Sequence, residues 1–83
     1  MLELYVKIWC PWCVAAIEML DALGCTYTVH DIEKEPNGPA TVRALSGQSR
    51  VPTMSANGAV LADFGPEEIE PFLRKLGLLP SRN

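Results

Sequence analysis

The chain has 83 residues, of which 48% are hydrophobic and 20% charged, with a net charge of −3. That length supports one small domain with a single core, and the composition excludes a disordered chain. The charge is spread without a basic run, and no apolar run approaches the roughly 20 residues a membrane span needs, so neither a nucleic-acid surface nor a membrane role is expected.

Residues 2–9, LELYVKIW, alternate. Leu2, Leu4, Val6 and Ile8 fall on one face and Tyr5, Lys7 and Trp9 on the other, which predicts a strand. The period then changes. PWCVAAIEMLDALG (11–24) spaces Cys13, Ile17, Leu20 and Leu23 as a helix, with Pro11 suited to its first turn and Gly24 to its end. CTYTVHDI (25–32) is β-branched and aromatic and reads as a second strand. EKEPNGPA is a loop, and a short helix is predicted over 39–46 with Gly47 as its stop. In RVPTMSANGAVLADF, two apolar segments flank Asn57-Gly58, the dipeptide of a type I′ hairpin. Over 66–77, Ile69, Phe72, Leu73 and Leu76 form one apolar stripe. Pro71 requires this helix either to begin near Glu70 or to kink. LLPSRN reads as a loose tail. The order β-α-β-α-β-β-α implies a mixed four-stranded sheet covered by three helices, its first two strands parallel and its last two antiparallel.

Three cysteines, Cys10, Cys13 and Cys25, are too few for a secreted disulfide scaffold. The segment from Met1 shows no signal-peptide pattern, so a cytoplasmic protein is expected. In a reducing compartment a close pair more often serves metal binding or catalysis than a permanent staple. Zinc normally takes four ligands, and beyond the pair only Cys25 and His30 are available, so no metal site is expected. Cys25 reads as a small hydrophobe or a side thiol open to oxidation, and His30 as a strand-surface or capping residue.

The pair suits redox chemistry. Cys10 falls at a helix N-terminus, where unpaired N–H groups and the dipole stabilise negative charge, and Lys7 adds a cation nearby. Such surroundings take a thiol from ~8.5 into a range of roughly 3.5–7.5. The i, i+3 spacing keeps Cys13 beside Cys10. Cys10 is the attacking sulfur at the lip, and Cys13 the shielded resolving sulfur. Trp12 lies beside Cys10 as an apolar platform.

With CPWC after KIW, VPT about forty residues later and a hairpin next, the chain resembles a glutaredoxin over nearly its whole length. The resemblance implies a thioredoxin-like fold and a glutathione-dependent thiol–disulfide oxidoreductase acting on glutathionylated or disulfide-containing proteins. Glutathione is then a co-substrate and no cofactor is tightly bound. It also implies a cis bond between Val51 and Pro52, facing Cys10 and offering backbone groups to the cysteinyl part of glutathione; otherwise Pro52 simply starts an edge strand. By the same resemblance Lys7, Gln48 and Arg50 meet the glycine carboxylate, Trp12 replaces the common tyrosine, and Asp63 with the backbone at Phe64 holds the γ-glutamyl group. Arg50 is alternatively a solvated loop charge, and Asp63 a helix cap. The family's Gly-Gly-x-Asp-Asp pattern is missing from VLADFGPEE, a segment that also looks like mycoredoxins and like glutaredoxin-like donors reduced by thioredoxin reductase. Such a donor would pass electrons to an enzyme such as ribonucleotide reductase. Some glutaredoxins instead share an iron–sulfur cluster between two chains with two glutathiones, a fit that Pro11 and Trp12 oppose; a monomer is expected.

Overall fold

The computed structural model describes residues 2–80. Strands β1 (Leu2–Val6), β2 (Thr28–Asp31), β3 (Thr53–Ala56) and β4 (Ala59–Ala62) alternate with helices α1 (Pro11–Ala22), α2 (Gly38–Ser46) and α3 (Ile69–Leu76). The sheet order is β2-β1-β3-β4, with β1 and β2 parallel and the other two pairings antiparallel. This is the thioredoxin-like architecture expected from the sequence.

β1 is central, and both its faces are covered. Leu2, Leu4 and Val6 pack against α1 and α3 through Ala16, Leu20, Ile69 and Leu73, together with Met54 of β3. Tyr5 points the other way and is buried against Ile32 and Val42 of α2. The alternation is therefore real, and its second face is covered at Tyr5 as well. Leu4, Leu20, Ile69 and Leu73 are fully buried, each worth about 1.5–3 kcal/mol of transfer free energy.

The strands are shorter than the apolar runs that encode them. β1 stops at Val6 because Cys10 N–H donates to the Lys7 carbonyl at 3.0 Å, turning residues 7–10 toward the helix. Ile8 and Trp9 are consequently exposed. β2 pairs only with β1 and begins at Thr28, three residues after Cys25. Asn57 and Gly58 both take positive φ, 50° and 89°, as the type I′ turn demands. At Pro66–Glu68 a 3₁₀ turn precedes α3, which starts at Ile69. Pro71 thus stays in the first turn, where its missing N–H costs no helical bond.

Gly38 is required by close approach. A Cβ there would lie 2.3 Å from the Ile32 carbonyl oxygen, so the start of α2 sits directly on the end of β2. At the other end, Leu78 and Leu79 pack on the core and the Leu78 N–H donates to the Leu73 carbonyl, 2.9 Å. The reading of LLPSRN as a loose tail fails for those two residues, and 81–83 lie outside the described residues.

Candidate functional site

The turn at residues 7–10 delivers Cys10 to the N-cap of α1, with φ −80° and ψ 120°. Its carbonyl accepts the first helical bond from Val14, 3.0 Å, and Pro11 follows at N1. No side chain caps this helix end, so the Cys10 thiol lies at a terminus whose N–H groups are otherwise unpaired. Cys13, one turn on, is completely buried, whereas Cys10 keeps 9% of its surface. The order of access is as expected, though Cys10 is more covered than a lip position suggests. Both thiols are free.

Their environments differ in kind. Burial pushes the Cys13 thiol up, and a side-chain hydrogen bond with Cys10 and the Cys10 charge push it further. A backbone hydrogen bond from Lys7 and the Lys7 ammonium pull it back, and the balance stands at about 12. Cys13 is therefore a neutral thiol at physiological pH, able to donate to the Cys10 sulfur. The two sulfurs are suited to successive roles, with an outer sulfur to be attacked through and an inner one held in reserve.

Around them, Trp12 is 59% exposed and forms one wall of a cleft of about 200 Å³, opposite Val51, Pro52, Asp63 and Phe64. The Val51–Pro52 bond is cis, and the Pro52 carbonyl accepts from the Asp63 N–H at 3.0 Å. Phe64 is buried and packs in the same core cluster as Cys10 and Cys13, with Val51 against it. Cys10, Cys13, Trp12, Val51, Pro52, Asp63 and Phe64 are thus gathered at one end of the molecule.

The polar residues named from the sequence are engaged with partners of their own. Lys7 Nζ lies 5.5 Å from the centroid of the Trp9 ring, and the Trp9 indole N–H donates to Glu33 at 2.8 Å. Gln48 folds onto its own loop. Its amide nitrogen reaches Ser46 Oγ (2.9 Å), Thr53 Oγ1 (3.2 Å) and the Arg50 carbonyl (3.3 Å), while its oxygen accepts from the Arg50 N–H. Arg50 Nη1 donates to Asp63 Oδ2 at 3.2 Å, across the cis-proline loop. Asp63 holds a positive φ of 51°. It is not the cap of the following turn: Glu68 is, its carboxylate accepting from the Gly65 N–H at 2.9 Å.

Several of these contacts escape sequence reasoning. Glu67 lines the cleft, and nothing in its spacing marks it. The Glu68 cap was available, since Gly65-Pro66-x-Glu68 has the acid three residues after the cap and proline at N1. Away from the cleft, Cys25 is half-buried beside Leu2 and Leu78, and burial pushes its thiol up. Among the described residues no group of three or more His, Cys, Asp or Glu side chains is arranged to hold a metal ion.

The family model described as glutaredoxin matches residues 2–61. A glutaredoxin from Ricinus communis is 33% identical over 83 aligned positions, covering 88% of this chain and 81% of the relative. Among solved structures, a glutaredoxin from Archaeoglobus fulgidus superposes with a TM-score of 0.80 at 22% identity, covering 88% of this chain and 85% of the other. A complex of buckwheat glutaredoxin with glutathione superposes with a TM-score of 0.71 at 22% identity, covering 95% and 81%. At these identities the two structures speak for the fold.

Proposed function

The chain belongs to the glutaredoxin family and carries the dithiol of a thiol–disulfide oxidoreductase, and from that premise we propose that glutathione is its reductant and glutathionylated or disulfide-bonded proteins its substrates. The observation that carries the dithiol part is the unequal environment of the cysteines. Cys10 stands at the open N-cap of α1, and Cys13 is a buried neutral thiol hydrogen-bonded to it.

In the monothiol cycle the Cys10 thiolate attacks the glutathione sulfur of a capped protein. The S–S bond breaks, and the protein thiolate leaves and takes a proton from water. Cys10 now holds glutathione as a mixed disulfide. A second glutathione, as thiolate, attacks the bound glutathione sulfur, releasing glutathione disulfide and the Cys10 thiolate. With a protein disulfide, Cys10 forms a mixed disulfide with one protein sulfur. Cys13 then loses its proton to solvent and attacks the Cys10 sulfur, which frees the second protein thiol and leaves Cys10–Cys13 oxidised by two electrons. Glutathione returns those electrons.

For the tripeptide, Val51 offers strand-like backbone groups, Trp12 a platform, and Lys7 with Arg50 the cations for its glycine carboxylate. A second reading is favoured by one observation: Arg50 and Asp63 are bonded to each other, so both must exchange partners before they can hold glutathione. That reading has thioredoxin reductase as the electron source. The test is NADPH oxidation during reduction of a glutathione-capped substrate, with glutathione and glutathione reductase in one arm and thioredoxin reductase alone in the other. Turnover confined to the first arm supports the glutathione reading; turnover confined to the second refutes it.

A further inference from the structure

The main chain of Lys7 engages both cysteines. Its carbonyl accepts from the Cys10 N–H at 3.0 Å, and its backbone is hydrogen-bonded to Cys13. Its side chain is half-buried, with Nζ 5.5 Å from the centroid of the Trp9 ring. None of the ion pairs among the described residues includes Lys7, so the indole face is the contact that fixes where this ammonium stands.

Trp9 is 66% exposed, so packing alone does not fix its ring. Its indole N–H donates to Glu33 at 2.8 Å, and Glu33 is held in turn by the main chain around it. The Ile32 N–H donates to the Val6 carbonyl at 2.9 Å, which ties this segment to the end of β1. Asp31 closes the turn that follows. Its carboxylate accepts from the Glu33 N–H at 3.1 Å, and its carbonyl from the N–H groups of Lys34 and Glu35 at 3.0 and 3.1 Å. A chain of contacts therefore runs from the end of β2 through Glu33 and Trp9 to Lys7.

That chain matters most when a protein disulfide is being resolved. Burial opposes ionisation of Cys13, and the hydrogen bond and charge of Cys10 oppose it further. Once Cys10 holds a substrate sulfur its charge is gone, and Lys7 is what remains to offset burial. A cation held at a fixed place stabilises a thiolate more than one that swings through solvent, because the attraction falls with distance and is screened by water and salt.

We infer that Trp9 and Glu33 are positioning residues for the resolving step, holding the Lys7 ammonium within electrostatic reach of Cys13 as it attacks the capped Cys10. The inference rests on the dithiol reading of Cys10 and Cys13 and not on the identity of the reductant. The reaction that tests it uses dithiodipyridine, an uncharged aryl disulfide whose arms cannot pair with Lys7. The Cys10 thiolate attacks one of its sulfurs, and the first pyridinethiolate leaves, taking a proton from water. Cys13 gives up its proton to solvent and attacks the Cys10 sulfur, releasing the second pyridinethiolate. The disulfide gains two electrons and the protein loses them.

Rapid mixing of the reduced chain with one equivalent of this probe at about pH 7 reads the Cys13 attack as the second phase of chromophore release. Trp9→Leu is expected to slow that phase about twofold. An exposed cation–π contact is worth a factor of about two to five, and part of the loss is offset because a more basic thiolate is more nucleophilic. Lys7→Gln should slow the phase at least as much, and adding Trp9→Leu to it should change nothing further. Glu33→Gln keeps an oxygen to accept from the indole N–H and should hold the parent rate. Glu33→Ala makes the same change in charge without the acceptor and should slow the phase as Trp9→Leu does. A second phase as fast in Trp9→Leu as in the parent overturns the inference. So does an equal slowing by Trp9→Leu in the Lys7→Gln background, which would make Trp9 a packing residue. Both results leave the dithiol reading standing, whereas no second phase in the parent chain would defeat that reading and the inference with it.

Discussion

The resolving step should depend steeply on pH. Cys13 stands at about 12 beside reduced Cys10, pushed there first by burial and then by the hydrogen bond and charge of Cys10. At pH 7 such a thiol is ionised to about one part in 10⁵. Once Cys10 is capped, its charge is gone and so are those two contributions; burial, the largest cause, remains. Cys13 should therefore still be mostly protonated through the neutral range, and its attack on the capped Cys10 should speed up about tenfold per pH unit. Rapid mixing of the reduced chain with one equivalent of the aryl disulfide that releases thionitrobenzoate separates the steps. The first equivalent of chromophore reports Cys10 and the second reports Cys13. The second phase should climb steadily from about pH 6 to about pH 8.5, and Cys13→Ser should retain the first phase and lose the second. A second phase that is flat with pH would show that Cys13 is already ionised or is served by another base, and would refute the reasoning.

Cys10→Ser is expected to abolish turnover with every substrate, whereas Cys13→Ser should keep activity on glutathione-capped proteins and lose it on protein disulfides; equal loss in both variants, in coupled NADPH assays, would contradict the assigned roles. His30 lies between Glu3 (2.9 Å) and Glu35 (2.8 Å) and stacks on Tyr5. Burial lowers its pKa, but the hydrogen bonds its ring N–H groups donate to Glu3 and Glu35, with the charges of those carboxylates, outweigh that and raise it overall. A raised histidine stabilises the fold below its unfolded value near 6.5 and loses that contribution as pH rises through the folded value. Urea midpoints of the reduced chain should therefore fall as pH rises from about 6.5 through the raised folded value, and His30→Gln should flatten that fall. Gly38→Ala brings a methyl into the Ile32 backbone and is expected to cost about 1–3 kcal/mol in the same denaturation assay; an unchanged midpoint would show that α2 can shift freely.

The local elements were legible because periodicity and turn chemistry are local. Asn57-Gly58, Gly47 and Pro71 each act through the backbone of their own segment, and the hairpin, the end of α2 and the start of α3 fall where those residues require. The burial of Tyr5 could not be read from its own segment, because it depends on α2 packing over the second face of β1, more than thirty residues away in sequence. The strand ends were overextended for a related reason. Ile8 and Trp9 continue the pattern of β1, but the turn that presents Cys10 needs those residues outside the sheet. At the site, a spacing of i, i+3 puts two cysteines on one turn whatever surrounds them, so the dithiol could be read directly. The pairings of Arg50 with Asp63 and of Trp9 with Glu33 could not, because each joins residues from separate segments that the fold alone brings together. Gln48 illustrates the same limit: an amide suited to a carboxylate is equally suited to stitching its own loop.

The central claim is that Cys10 and Cys13 exchange two electrons with a disulfide while Cys25 stands aside. The most direct measurement is mass spectrometry of the reduced chain after reaction with one equivalent of bis(2-hydroxyethyl) disulfide, followed by alkylation and digestion. The mechanism requires loss of two hydrogens, a Cys10–Cys13 crosslink within one peptide, and full alkylation at Cys25. A crosslink or stable adduct involving Cys25, or Cys10 and Cys13 both recovered alkylated, would contradict it.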